Sequence, residues 1–204
     1  MTDPANLLAA LGAHLPPKAV LQPRDFAAAG LHPEQVRRLV KAGALERAGR
    51  GRYLLPGTAL PDEIGLALVA AAAPSAVLCL LTALRIHGLG TQAPREIWIA
   101  VDRRAAKPRI DTPLVRVVRF SGAALSFGIE TRDIGGIPVQ IYSAAKTVAD
   151  CFKYRNKIGL DVAIEALREG LAQKAFTRDA LWEAAGVCRV TRVIRPYLEI
   201  LSNA

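Results

Sequence analysis

The sequence is poor in the residues that usually carry catalysis, metal binding or cross-linking. Its three cysteines, Cys79, Cys151 and Cys188, lie far apart in apolar surroundings. An odd, dispersed set excludes a disulfide framework and reads as buried free thiols in a reducing cytosol. The three histidines (14, 32 and 87) are scattered, and no CxxC or Cys/His cluster has metal-ligand spacing. No G-x-x-x-x-G-K-[ST], G-x-S-x-G or HExxH is present, so no cofactor, metal or catalytic residue is expected. Internal repeats and low-complexity tracts are missing apart from an enrichment in alanine. The opening MTDPANLLAALGAHLPPK lacks a basic n-region and a long apolar core, so no signal peptide is expected and the location reads as cytoplasmic.

Apolar residues make up 51% of the 204-residue chain, enough for a substantial core, which excludes global disorder. Lysine and arginine outnumber aspartate and glutamate by 27 to 18, and the pI is about 9.9. That balance favours an anionic partner: nucleic acid first, a membrane surface second, an acidic protein third. Residues 1–60 carry eight basic and four acidic side chains, almost half of the net +9 in less than a third of the length. Within 37–52, Arg37, Arg38, Lys41, Arg47, Arg50 and Arg52 face a single acid, Glu46. One run tests a soluble reading: Ile64 to Leu84 contains no charge. Its alanine content and the central Pro74-Ser75, a helix stop followed by an N-cap, predict two short buried helices, at 62–73 and 75–87, rather than a membrane span. No membrane partner is expected.

Periodicity predicts a short amphipathic helix over 4–14, with Leu7, Leu8, Leu11 and Leu15 at helical spacing. In RDFAAAGLHPEQVRRLVKAG, a short helix ends at Gly30, a natural left-handed residue, and His32-Pro33 starts a second. That second helix has Val36, Leu39 and Val40 inside and Glu34, Arg37, Arg38 and Lys41 outside. Short helix, glycine turn, basic helix is the helix-turn-helix plan. Leu45–Arg47 and Arg52–Leu55 read as strands around an Ala48-Gly49-Arg50-Gly51 turn. Pro56-Gly57 and Pro61 mark a boundary, giving a winged helix-turn-helix over 1–60 and a larger domain over 61–204. In the latter, strands are expected at 96–101 and 114–120, a hairpin at 129–133 and 137–142, and helices from Ser143 to about 155 and from about 161 to 173. A short helix capped by Thr177 before Gly186 and a last helix bent or begun afresh at Pro196 complete it. Leu160, Ile164, Leu167 and Leu171 mark one face of the 161–173 helix. The fold class is α+β, mostly helical.

The stretch RAGRGRYLLPG decides between a phosphate loop, a linker and a hairpin. A phosphate loop would need a lysine-hydroxyl pair before a helix, and a linker would not need Tyr53-Leu54-Leu55. A wing satisfies both halves, packing back through Leu45, Tyr53 and Leu55 while its tip offers Arg50. The helix after Gly30 would then lie in a major groove of double-stranded DNA. Arg37 and Arg38 could pair with guanine and Gln35 with adenine. Lys41, Arg47 and Arg52 would meet phosphates, and Arg50 could enter a minor groove. Specific binding by so small a module calls for two copies on paired half-sites.

These residues resemble a known family. DFAAAGLHPEQVRRLVKAGALERAGRGRYLLP is similar to the N-terminal winged helix of AbiEi antitoxins and transcriptional regulators. SAVLCLLTALRIHGL is similar to that family's helix ending in His-Gly-Leu. DIGGIPVQIYSAAKTVADCFKYRNKIGLDVAIEALREGL resembles its C-terminal signature. The resemblance runs over roughly 25–175. It implies a cytoplasmic DNA-binding autorepressor, encoded beside a nucleotidyltransferase-like toxin that its C-terminal domain neutralises, directly or without a stable complex. Phage defence is the setting it implies.

Two other readings stand beside it. One is an enzyme acting on nucleic acid or on the toxin, since Lys146, Asp150, Lys153 and Tyr154 could share a helix face, with Arg155 next to them. The plainer view is an i,i+4 Lys–Asp pair worth a few tenths of a kcal/mol. The other is a ligand-responsive repressor. His87 is expected to cap or pack, and Trp98, Phe120 and Trp182 to fill the core. Arg103, Arg104, Lys107 and Arg109, with Arg116 and Arg119, form a second basic region, either solvated or extending a contact to DNA or toxin RNA.

Overall fold

The computed structural model describes residues 15, 18–57 and 63–202. The helix expected at 4–14 lies outside the described residues. The chain divides into two compact units. The first holds the described residues up to Pro74 together with 108–113 and 132–139, and the second holds the rest. The fold class is α+β with helices predominating, as the residue pattern predicts.

The first unit begins with α1 (Pro23–Ala28) and α2 (Pro33–Lys41), followed by β1 (Glu46–Gly49) and β2 (Arg52–Leu54). Leu21, Phe26, Leu31, Val36, Leu39 and Leu45 form its small core, with Tyr53 and Leu55 packed against them. Tyr53 meets Phe26 edge-on at 5.3 Å. The strands pair antiparallel through Glu46–Leu54 and Arg47–Tyr53. Leu21 and Tyr53 exchange two backbone hydrogen bonds of 2.9 Å, so β2 is held on both edges. The nine-residue α3 (Ile64–Ala72) follows, and Gln22 Nε2 donates to Ala71 O at 3.4 Å.

The uncharged run from Ile64 does not become two adjoining helices. Val77-Leu78 form a strand, β3, and the second helix, α4 (Leu80–His87), starts only after it. β3 pairs antiparallel with β4 (Ile97–Asp102) and parallel with β7 (Ile137–Tyr142). It therefore lies at the centre of a sheet ordered β5-β4-β3-β7-β6, with β5 at Val115–Phe120 and β6 at Ile129–Ile134. A strand buried on both faces shows no alternation, so its apolar run reads as helix. No helix among the described residues is long and apolar enough to cross a membrane.

The β6–β7 hairpin turns at Gly135 and Gly136, where φ values of +60° and +78° suit glycine. After α5 (Ala123–Ser126), β6 and β7 comes α6 (Ala144–Lys153), N-capped by the Ser143 hydroxyl oxygen, which accepts from Lys146 N–H. Every residue of α6 from Ala144 to Phe152 is buried, so this helix is the centre of the second core. Around it pack α8 (Leu160–Ala172) and α9 (Arg178–Cys188), with the short α7 (Arg155–Ile158) between α6 and α8 and α10 (Thr191–Ser202) closing the chain. The fully buried face of α8 is Val162, Ala163, Ala166, Leu167 and Gly170; of the predicted stripe, Leu167 belongs to it, Ile164 and Leu171 pack half-buried against the same core, and Leu160 is exposed. α9 runs through Gly186 to Cys188 instead of stopping before it, and Pro196 sits inside α10.

Candidate nucleic-acid interface

α1 begins where Asp25 Oδ2 accepts from Gln22 N–H at 2.8 Å, and Lys18 pairs with the other carboxylate oxygen at 3.1 Å. It ends at Gly30, whose φ of +79° lets Leu31 N–H reach Phe26 O at 2.9 Å. That turn aims α2. Pro33 occupies the first turn of α2, and the His32 N–H donates to Gln35 Oε1 at 2.8 Å. Gln35 thus serves as a helix cap, and a bidentate adenine contact would require it to release that bond.

Val36 and Leu39 point into the core, so the opposite face of α2 carries Glu34, Arg37, Arg38 and Lys41 outward. The Arg37 side chain is 79% exposed and pairs with Glu34 at 3.1 Å. At that exposure the bond is weak and exchangeable. Arg38 and Lys41 are exposed, with no ion-pair partner among the described residues.

The wing follows directly. An irregularity between Arg47 and Gly49 sharpens the bend, and Gly51 takes φ +67°. Arg50 projects at the tip and Arg47 lies exposed on β1, its Nε donating to Gly49 O at 3.4 Å. Arg52 is placed differently. It is only 6% exposed, and its guanidinium lies so close to Gly49 that a Cβ there would come within 2.5 Å of Nη2. Its Nε has no hydrogen-bond partner among the described residues. Arg52 packs inside the base of the wing while the other five cations of 37–52 face solvent. The sequence alone does not single out Arg24, which is exposed on the first turn of α1; its only signal is a cation next to the helix-start proline.

Residues 18–56 match the family model for transcriptional regulators of the AbiEi antitoxin type. This winged segment is similar to that family's. A search of curated proteins finds no match. Among solved structures, the crystal structure of the RV2827C protein from Mycobacterium tuberculosis is similar, with a TM-score of 0.62 and 18% identity. The match covers 89% of this chain and 70% of that one, and it is a likeness of fold.

Outside the AbiEi-type module, the suspected catalytic helix is arranged for packing. Lys146 and Asp150 are both fully buried, with Lys146 Nζ donating to Asp150 Oδ2 at 2.5 Å. The ammonium also lies 4.1 Å from the Tyr142 ring centroid and 4.8 Å from that of Phe120. Cys188 Sγ donates to the second carboxylate oxygen at 3.1 Å. Burial drives the Asp150 carboxyl above its ordinary range, and the adjoining ammonium and thiol pull it back. This is not the solvated pair expected from spacing. Lys153 is exposed, the half-buried Tyr154 donates its hydroxyl to Arg119 O at 3.4 Å and Arg155 donates to Phe152 O at 2.9 Å, so Lys146, Asp150, Lys153 and Tyr154 are not gathered on an accessible face. No trio of His, Cys, Asp or Glu among the described residues could hold a metal.

The three cysteines are free and buried. His87 Nε2 lies 2.7 Å from Tyr142 O, fixing the end of α4. Trp98 and Phe120 are core residues, and Trp182 is half-buried. In the second basic region Arg103, Arg104, Lys107 and Arg109 are exposed, while Arg119 Nη1 donates to Asp102 O and Ala105 O at 2.9 and 2.6 Å.

Proposed function

We propose that this protein is a cytoplasmic, sequence-specific DNA-binding autorepressor and the antitoxin of a toxin–antitoxin operon whose toxin is a nucleotidyltransferase. The observation that carries the reading is the run of exposed cations on one AbiEi-type winged module: Arg37, Arg38 and Lys41 along α2, Arg47 and Arg50 on the wing. In this reading α2 enters a major groove. Arg37 and Arg38 each donate two parallel hydrogen bonds to guanine O6 and N7, discriminating by about 1–3 kcal/mol per base pair. Lys41 and Arg47 neutralise phosphates, and Arg24 on the first helix joins them where that helix crosses the backbone. Arg50 is presented to the minor groove beside the site. Arg52 stiffens the wing that carries Arg50, and Gln35 holds the N-terminus of the reading helix. Two copies would occupy paired half-sites.

The toxin partner rests on the family of residues 18–56 and on the C-terminal sequence resemblance. The test separates the two activities. Alanine at Arg37, Arg38 and Arg50 together should abolish binding to the upstream intergenic duplex in a gel shift. The same variant, co-expressed with the neighbouring toxin from a heterologous promoter, should still protect cells. A triple variant that binds the duplex like the parent would defeat the assignment of these residues.

A further inference from the structure

The second unit presents an unfinished sheet edge. Among the described residues β5 is the terminal strand of the five-stranded sheet and pairs only with β4, in parallel, with Ile97 opposite Val115 and Asp102 opposite Phe120. Ile97 N–H donates to Leu114 O and Arg103 N–H to Phe120 O at the two ends of the ladder. In a parallel ladder N–H and C=O of one residue point to the same side, alternating along the strand. With that register, Leu114, Arg116, Val118 and Phe120 face β4, and Val115, Val117 and Arg119 turn their backbone groups outward. Arg119 O accepts from the Tyr154 hydroxyl at 3.4 Å. Among the described residues no hydrogen bond reaches the outward groups of Val115 or Val117.

The surroundings of this edge have one chemistry. A cleft of about 500 Å³ is lined by Trp98, Arg116, Val117, Arg119, Tyr154 and Lys157. The aromatic faces are already used: Arg116 lies 4.8 Å over Trp98, and Tyr154 is stacked on Phe120 at 5.6 Å with Lys157 also 5.6 Å from its centroid. A nucleobase would therefore find no open ring to stack on. What remains available is backbone pairing capacity, the exposed cations Arg116 and Lys157, and an apolar anchor, since Leu114 at the head of the strand is 66% exposed. Arg116 has one acidic partner, Glu96 at 2.8 Å.

We propose that the β5 edge is a docking site for an extended acidic segment of another protein, which adds to the sheet as a sixth strand. Main-chain bonds to Val115 and Val117 supply the pairing, alternate carboxylates meet Arg116 and Lys157, and an apolar side chain covers Leu114. Arginines on an edge also discourage self-association of a β-rich strand. They do so for a second copy of this same basic edge while favouring an acidic partner. The inference concerns the second unit and stands or falls separately from DNA binding.

The experiment is fluorescence anisotropy with the full chain and a fluorescein-labelled short peptide alternating glutamate and valine. Saturable binding is expected, with none for the lysine–valine counterpart. N-methylation of alternate peptide residues keeps the charge but removes one pairing edge, and should weaken binding about ten-fold, the effect of losing two or so net hydrogen bonds. Val117→Pro removes an outward N–H and leaves the β4 ladder intact. It should weaken binding similarly, its fold checked by circular dichroism, and Arg116→Glu with Lys157→Glu should abolish it. The N-methylated probe decides the matter on the unaltered protein if Val117→Pro misfolds. Equal binding of plain and methylated peptides, tighter binding of a single-stranded oligonucleotide, or no peptide binding would each overturn the proposal.

Discussion

Lys146 and Asp150 sit one turn apart on α6 without contact with water, and their environment sets their worth. A solvated pair at this spacing contributes a few tenths of a kcal/mol. Removing one partner from a buried pair leaves an uncompensated charge, with a loss of about 3–5 kcal/mol. Lys146→Met or Asp150→Leu alone should therefore lower the free energy of unfolding in urea by that amount. The double variant should recover most of it, because apolar side chains can fill the same volume. Singles and double that lose stability additively would contradict this account. Sequence gave the pairing but not its burial, since i,i+4 spacing looks the same on an exposed face and in a core.

The thiols give a pH signature at the same scale. Burial raises Cys188 to about 12, and pushes Cys79 and Cys151 well above the ordinary thiol value. In the unfolded chain these groups ionise near 8.5. Above that pH the unfolded state has released protons that the folded state retains, so stability must fall as pH rises toward 12. Below it the contribution is fully present. Urea unfolding at pH 7 and pH 10 should show this loss, and Cys188→Ala should reduce it by up to about 1.4 kcal/mol per pH unit. A stability curve with the same alkaline slope after that substitution would exclude Cys188 as a contributor.

At the scale of elements the wing is the informative case. Gly49 adopts φ +147° and lies against the Arg52 guanidinium, so Gly49→Ala combines backbone strain with a steric conflict at a buried side chain. A loss of about 1–3 kcal/mol is expected, together with weaker DNA binding, because the ribbon presenting Arg50 would no longer hold its bend. A thermal melt and a gel shift on the same sample check both. The wing was legible in the residues alone: glycines at the turn, apolar residues after it and a basic helix ahead of it are a local code. Arg52 was not, because charge marks a side chain as exposed and only the tertiary packing puts this one inside. β3 was hidden for a related reason. A two-residue strand covered on both faces has no period to detect. The hairpin at Gly135-Gly136 and the caps at Ser143 and Thr177 were readable because turn and cap chemistry are set by neighbours in sequence.

At the whole-molecule scale, Arg37, Arg38, Lys41, Arg47 and Arg50 are exposed together on one helix and its wing, whereas exposed cations of the second unit, such as Arg103, Arg104 and Lys107, lie outside any such motif. That division assigns the duplex contact to the first unit, as the proposed function requires. Affinity for a duplex should then carry the mark of phosphate neutralisation, with the logarithm of the binding constant falling linearly against that of salt concentration. Base-reading and phosphate-meeting residues separate in this measurement. Lys41→Ala or Arg47→Ala should lower the slope by about one and weaken all sequences alike, whereas Arg38→Ala should relax preference for the operator.

The most direct measurement is an anisotropy titration of the full chain against the upstream intergenic duplex and a scrambled duplex over a series of salt concentrations. The account predicts salt-dependent binding that prefers the operator and disappears when Arg37, Arg38 and Arg50 are alanine. Equal affinity for the two duplexes, or a triple variant that binds as tightly as the parent, would contradict it.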